Sequence, residues 1–122
     1  MFDHVGLGVS NIEASREFLL RALQPLGVQL AMDGPNSVGL GVAGKPSLWL
    51  YATQAVSPPL HLAFTAGTRA AVDDFYHAAI AAGARDNGPP GLRPHYHANY
   101  YAAFVIGPDG HNLEAVCHLP AT

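Results

Sequence analysis

Apolar and polar side chains alternate with a period of two at the start of the chain, and this pattern predicts a strand over residues 2–9. Val5, Leu7 and Val9 fall on one face of the strand, whereas His4 falls on the other face with two glycines. The first strand therefore has an apolar face that can pack into a core and an open face that carries a histidine.

The same arrangement occurs a second time. Residues 61–65 begin with His61 and again place the histidine opposite the apolar side chains. Each strand is followed by a segment with helical spacing that has a phenylalanine fourteen residues after the histidine and ends in glycine: Phe18 and Gly27 in the first copy, Phe75 and Gly83 in the second. We therefore predict one domain over residues 1–122, built from one module used twice, about 1–56 and 57–122.

Two helices are predicted from apolar residues at helical spacing. The first covers about residues 11–24, and residues 10–13, from Ser10 to Glu13, have the form of a capping box at its start. The second begins after Thr68, which is a suitable N-cap, and continues to Gly83.

Short strands separated by turn compositions rich in glycine and proline fill the rest of each module. They are predicted at residues 28–33, 37–42 and 47–53 in the first module and at 84–87, 102–106 and 112–119 in the second. Each module then has the order βαβββ. The predicted fold class is α+β, with a mostly antiparallel sheet.

Composition and charge limit the function. With 122 residues, of which 49% are apolar and 12% charged, the chain can bury a core. A formal charge of -3 and only six lysines and arginines give no surface for nucleic acid or an anionic membrane. No long apolar run or leader pattern occurs, so we expect a cytoplasmic protein whose partners are a small-molecule substrate and a second copy of itself. The single cysteine, Cys117, excludes an internal disulfide and a thiolate cluster.

Four residues on the predicted open faces carry candidate chemistry. His4 and His61 occupy the same position of the repeat, and so do Trp49 and Glu114. If the modules pair about a pseudo-twofold axis, all four meet at its centre. Two imidazoles and one carboxylate are the ligands of a facial triad, which leaves positions open for substrate or water. The competing interpretation is structural, with hydrogen-bonded histidines and a Glu114 held by a neighbouring donor.

The order of these motifs resembles the vicinal oxygen chelate superfamily, which includes glyoxalase I, extradiol dioxygenases, and fosfomycin and bleomycin resistance proteins. The resemblance covers nearly the whole chain and is carried by the Asp3-His4-Val5-Gly6-Leu7 opening, the His61 strand, the Pro108-Asp109-Gly110 turn followed by Glu114, and the doubled βαβββ order. It implies a U-shaped sheet around one divalent metal ion, which is Fe, Mn, Ni, Zn or Co, in a protein that is commonly a homodimer.

Matched position by position, the resemblance implies that His4, His61 and Glu114 are the metal ligands. Trp49 stands where the glyoxalase I branch has a fourth, carboxylate ligand, and Phe104 stands where extradiol dioxygenases have a catalytic tyrosine. The implied activity is that of a lyase, an isomerase or a ring-cleavage dioxygenase acting on a small substrate that chelates the metal through vicinal oxygens. The alternative is a metal-free binding or sequestration protein of the bleomycin-resistance type.

An unusually polar and aromatic loop precedes the strand at 102–106. We predict that Glu114 and His97 transfer protons, and that the substrate contacts are Trp49, Tyr51, Arg93, Tyr100, Tyr101 and Phe104. The competing interpretation is a solvated loop whose aromatic residues anchor it on its own strand. His77 and His111 are predicted to be surface residues.

Overall fold

The computed structural model describes residues 1–121; Thr122, the last residue of the predicted second module, lies outside the described residues. The elements are β1 (Val5–Val9), α1 (Ile12–Leu23), β2 (Gln29–Asp33), β3 (Ser37–Gly41), β4 (Leu48–Ala52), β5 (His61–Thr65), α2 (Arg69–Ala81), β6 (Arg85–Asp86), β7 (Gly91–Leu92), β8 (Tyr101–Ile106) and β9 (Asn112–Cys117). Within this range, neither helix has the length and apolar character that a membrane crossing requires.

The strands form two sheets with the orders β1-β4-β3-β2 and β5-β9-β8-β6, and β7 also pairs with β8. The pairs β1–β4 and β5–β9 are parallel, and the other pairs are antiparallel. The predicted α+β fold class and the βαβββ order are therefore confirmed. Strand β7 was not predicted, because two residues are too few to show a period.

The strand register confirms the alignment of the two modules. Gly6 lies opposite Trp49 in the β1–β4 pair, and Ala63 lies opposite Glu114 in the β5–β9 pair. The flanking residues agree, since Leu48 and Leu113 face the equivalent positions of β1 and β5. Trp49 and Glu114 are thus equivalent in three dimensions as well as in sequence.

The predicted cap of α2 is confirmed, but the predicted cap of α1 is wrong. Thr68 accepts a hydrogen bond from the Ala71 amide at 3.0 Å, as expected for an N-cap. The N-cap of α1 is Asn11, whose side chain accepts from the Ala14 amide at 3.0 Å. Ser10 instead donates its amide and hydroxyl to the Asp109 carboxylate, at 3.1 and 2.6 Å. This contact joins the first module to the turn before β9.

One apolar core is shared by the two modules. It contains the helix-facing residues of both sheets together with buried residues of both helices, among them Phe18 and Phe75. Burying a side chain of this size stabilises a fold by about 1.5–3 kcal/mol. The apolar faces of the sheets are therefore used within the chain, and the opposite, open faces remain for other contacts.

His111 is a core residue, and its predicted surface position is wrong. Only 4% of it is exposed, and Nδ1 accepts a hydrogen bond from the Leu60 amide at 3.0 Å. Because Nδ1 is the acceptor, the ring must be neutral with its proton on Nε2. Desolvation by burial lowers the pKa of His111, although the Asp109 carboxylate opposes this shift. The neutral His111 imidazole thus holds the backbone of Leu60, the residue that precedes His61.

The first prediction concerns acid stability. Because the pKa of His111 is lower in the folded chain, the unfolded chain binds more protons at acid pH. The contribution of His111 is therefore complete above about pH 6.5 and falls progressively below it. In His111→Asn, an amide oxygen can accept from Leu60 without titrating. When the pH is lowered from about 7.5 to about 5.5, the melting temperature of the variant should fall less than that of the wild type. Equal decreases in the two proteins would contradict this account.

Candidate active site

A histidine and a glutamate meet on the open face of the second sheet. The parallel pairing of β5 with β9 brings Nε2 of His61 to 2.7 Å from Oε1 of Glu114. The Glu114 side chain is only 1% exposed, whereas the His61 side chain is 54% exposed. The pair therefore connects a buried carboxylate to an imidazole that ligands can reach.

The second oxygen of Glu114 is also used. The Tyr100 hydroxyl donates to Oε2, so each carboxylate oxygen has a donor. Burial, followed by the contact with Glu114, raises the pKa of Tyr100 to about 12. The phenol therefore keeps its proton at neutral pH and remains a donor. This pairing is what a buried carboxylate needs, because an unpaired buried charge is costly.

Three rings hold Tyr100 in place. The rings of Tyr96, His97 and His118 lie edge-on to it, at centroid distances of 4.9, 5.2 and 5.2 Å. His97 and His118 stack on each other at 4.7 Å. His97 therefore contacts Tyr100, and Tyr100 contacts Glu114. The two residues predicted to transfer protons, His97 and Glu114, are thus separated by the Tyr100 ring. His118 was not predicted; its only signal is that it shares the strand parity of Glu114.

An apolar floor and a cation lie beside the pair. Phe104 is paired with Glu114 across β8 and β9, and its ring centroid is 6.1 Å from that of His61. The guanidinium carbon of Arg93 lies 5.4 Å from the Phe104 ring centroid. These two predicted substrate contacts are therefore neighbours of the His61–Glu114 pair.

Tyr101 lies on the other side of the sheet. Its hydroxyl donates to Asp73 of α2 at 2.6 Å, and Arg69 lies over its ring. The contact with Asp73, and then burial, raises the pKa of Tyr101. Tyr100, which directly precedes β8, instead directs its hydroxyl to Glu114 on the open face, so the two tyrosines lie on opposite sides of the sheet. The prediction of Tyr101 as a substrate contact is therefore corrected.

The first sheet carries His4 in a different setting. Nδ1 of His4 donates to Asp3 at 2.9 Å, and the Lys45 ammonium donates to the other Asp3 oxygen at 2.8 Å. Lys45, followed by His4, lowers the pKa of Asp3 to about 2. A carboxylate on Nδ1 fixes the tautomer and leaves the lone pair on Nε2, which is the state that a metal ligand requires.

Trp49 and Tyr51 form an aromatic wall on the first sheet. Their rings stack at a centroid distance of 6.4 Å and an angle of 17°. The backbone of β3 passes closely beneath them, since a Cβ at Gly39 would lie 3.2 Å from Cη2 of Trp49. The indole thus lies over a glycine. The wall can pack against a planar ligand but offers no metal ligand.

Within one chain, His4 does not come together with the His61–Glu114 pair. Residues 1–121 include no group of three or more His, Cys, Asp or Glu side chains that is close enough for one ion. His4 therefore does not join His61 and Glu114, because the modules are connected through the shared core and not through their open faces. An apolar cavity of about 610 Å³ has Phe2, Val5 and Lys45 on its first-module side and residues 61–65 on the other.

The family follows from comparison with known proteins. The model of the Glyoxalase/Bleomycin resistance protein/Dioxygenase superfamily matches residues 1–115. The chain therefore belongs to this superfamily, and the predicted resemblance is confirmed. No curated protein sequence matches the chain.

Solved structures share the fold of this chain. A glyoxalase/bleomycin resistance protein from Albidiferax ferrireducens is 26% identical and has a TM-score of 0.83, with 98% of this chain and 99% of that chain covered. A glyoxalase-related enzyme from Fulvimarina pelagi is 22% identical with a TM-score of 0.75, covering 96% and 87%. A glyoxalase I mutant from Zea mays is 24% identical with a TM-score of 0.72, covering 94% of this chain and 46% of that one.

The second prediction tests the Tyr100–Glu114 contact. Tyr100→Phe removes the donor of a buried carboxylate oxygen, so the free energy of unfolding should fall by about 1–3 kcal/mol. Tyr96→Phe is the matched control, because Tyr96 packs on Tyr100 but is exposed. Urea denaturation of both variants measures the difference. Equal stability of the two variants would show that Glu114 does not depend on Tyr100.

Proposed function

We propose that the protein is a divalent-metal-dependent enzyme of the glyoxalase and dioxygenase type. In this proposal His61 and Glu114 of one chain and His4 of a second copy hold the ion, and the substrate is a small molecule with vicinal oxygens. The observation that carries the proposal is the 2.7 Å contact between the reachable His61 imidazole and the buried Glu114 carboxylate.

The donor set fits a metal ion in part. Divalent ions lie about 2.0–2.2 Å from nitrogen and oxygen ligands, so neighbouring ligand atoms are roughly 3.0 Å apart in an octahedral site and roughly 3.4 Å apart in a tetrahedral one. Nε2 of His61 and Oε1 of Glu114 are already close to that spacing. Nε2 of His61, after losing its proton to solvent, and Oε1 of Glu114 would hold the ion, and Tyr100 would keep the other carboxylate oxygen in place. Two ligands are fewer than the three of a facial triad.

His4 is the candidate for the third ligand. Its side chain is 53% exposed, and Asp3 holds Nδ1 so that Nε2 is free to coordinate. Since His4 does not reach Glu114 within a chain, a second copy would supply it. A homodimer that pairs the open face of the first module with that of the second would form two identical sites.

The residues of the chain suggest how such a site would work. A bound divalent ion would act as a Lewis acid on the substrate oxygens. Tyr100 would orient Glu114, and Oε2 of Glu114, which has a second lone pair beside the Tyr100 donor, would exchange a proton with the substrate. Trp49 and Tyr51 would cover the substrate, and Phe104 would keep water from one side. Because Phe104 has no hydroxyl where extradiol dioxygenases have tyrosine, we favour an isomerase or lyase reaction over ring cleavage.

A second candidate function is metal-free binding of a small molecule, as in bleomycin-resistance proteins. The observation in its favour is that both oxygens of Glu114 already have donors within the chain. In this case His61 and Tyr100 are structural partners, and the aromatic wall alone sequesters the ligand. Metal content distinguishes the two candidates.

The third prediction tests the shared site. Wild-type protein should bind about one divalent ion per chain, and His4→Ala and Glu114→Gln should each bind almost none. A purified heterodimer of these two variants should recover about half of the wild-type metal. The reason is that one of its two sites receives His4 from the Glu114→Gln chain and an intact Glu114 from the other chain.

Elemental analysis of a doubly tagged heterodimer measures this recovery. His77→Ala paired with Glu114→Gln is a useful reference, since His77 is exposed on α2. A site within one chain would give no recovery in the heterodimer. Wild-type protein that lacks stoichiometric metal, and whose melting temperature ignores added Zn and Mn, would favour the metal-free candidate instead.

The fourth prediction uses the register equivalence of Trp49 and Glu114. Trp49→Glu would add a carboxylate next to His4 and convert a three-ligand site into a four-ligand site. Metal retention against a chelator should increase, and the metal-free variant should be less stable than wild type because the added charge has no partner. Trp49→Gln has the same shape without the charge and should do neither. Equal metal retention and equal stability of the two variants would show that position 49 does not lie next to the metal.

A further inference from the structure

The guanidinium of Arg93 is held rigidly by the backbone. Nη1 donates to the Gly91 carbonyl and Nη2 donates to the Pro89 carbonyl, both at 2.8 Å. The Arg93 amide also donates to the Tyr100 carbonyl at 2.7 Å, which closes the base of the loop between β7 and β8. A side chain with many rotamers is therefore fixed before any ligand arrives, so a ligand would not have to order it.

Two glycines leave the space that the Arg93 guanidinium occupies. A Cβ at Gly88 would lie 3.3 Å from Nη2 and 3.0 Å from the Phe104 ring, and a Cβ at Gly91 would lie 3.1 Å from Nη1. Larger residues at these two points would displace the guanidinium. The turn sequence that precedes β8 thus forms a cradle for Arg93, defined here as residues 88–91.

The positive charge of Arg93 has no carboxylate partner among residues 1–121. The ion pairs of these residues involve Arg16, Lys45, His4 and His61. Two neutral carbonyl oxygens satisfy two of the five N–H groups but do not cancel the charge. Arg93 is half-buried, so solvent screens it less than an exposed arginine.

The cradle faces the same site as the proposed ion. Arg93 and Tyr100 oppose each other at the base of the loop, and the Tyr100 hydroxyl reaches Glu114. The guanidinium and the His61 imidazole both neighbour the Phe104 ring, with the Arg93 Cζ 5.4 Å and the imidazole centroid 6.1 Å from the ring centroid. A small ligand that lies over Phe104 can therefore contact His61 and Glu114 at one end and Arg93 at the other.

We propose that Arg93 and its cradle form a subsite for a carboxylate, so that the substrate is a small acid with its vicinal oxygens at one end and a carboxylate at the other. This substrate class rests on the proposed function for its chelating end only. A guanidinium pairs well with a planar carboxylate. One uncompensated positive charge matches a monoanion better than a phosphate, which carries up to two negative charges near Glu114.

The experiment measures binding with matched acids and amides. In chelator-treated protein, benzoate should bind about tenfold more tightly than benzamide, and phenylphosphonate should bind more weakly than benzoate. In protein loaded with Mn, 3,4-dihydroxybenzoate should show the same preference over 3,4-dihydroxybenzamide. Isothermal titration calorimetry is suitable for all five ligands.

Two variants that each lose one positive charge test whether the preference for acids depends on Arg93. Arg93→Gln should remove the preference for acids, whereas Arg21→Gln, on the exposed side of α1, should keep it. Arg93→Lys should retain part of it, because the charge remains without the planar fork. Circular dichroism of each variant confirms that the fold is intact.

The possible outcomes separate this inference from the proposed function. Equal binding of acid and amide by the wild type, or a preference that survives in Arg93→Gln, would overturn the carboxylate subsite. Tighter binding of phenylphosphonate than of benzoate would overturn the carboxylate assignment and indicate a subsite for a phosphate-like group. An Arg93-dependent preference in a protein that binds no metal would support the subsite and reject the metal-dependent function.

Discussion

A carboxylate that is almost completely buried must be surrounded by donors, and Glu114 imposes this requirement on the second module. One oxygen takes His61 from the neighbouring strand, and the other takes Tyr100 from the end of the loop. Tyr100 is in turn enclosed by rings from the loop and from the end of β9. The position of the loop, the neutral state of the phenol and the orientation of the imidazole all follow from keeping one negative charge inside the sheet.

The same charge explains why the two candidate functions share one geometry. Without an ion, the His61 proton and the Tyr100 proton satisfy the carboxylate. In the proposed metal-bound state, only the His61 proton would have to leave, and Tyr100 would keep its role. On this proposal, the open face would need little rearrangement to change between the two states. In the proposed site, residues 1–121 of a single chain supply only two of the three ligands, because the apolar sides of both sheets join the modules in one core.

Much of the fold could be predicted from periodicity alone. The equivalence of Trp49 and Glu114 was visible in sequence because a strand has a fixed period of two and each module keeps one register. The position of Tyr101 follows from the same rule, but adjacent tyrosines in a polar loop gave no sign of where the strand begins. The apolar core was also predictable in outline.

Contacts between distant residues could not be predicted. Ser10 fits a local capping box, yet Asp109 takes its donors and leaves the cap to Asn11. His111 follows a turn and has the composition of a surface residue, yet it is buried by residues from both modules. Local patterns describe the elements correctly, whereas these exceptions depend on which elements pack together.

The contact between Ser10 and Asp109 also affects the order in which the chain can fold. It joins residues near opposite ends of the chain, and the core that it borders is built from both modules. Synthesis proceeds from the N-terminus, so the first module leaves the ribosome long before Asp109 is available. Until then the apolar side of its sheet lacks the cover that the second module provides. The first module should therefore reach its final structure only after the second module has been synthesised, and until then its exposed apolar surface favours aggregation.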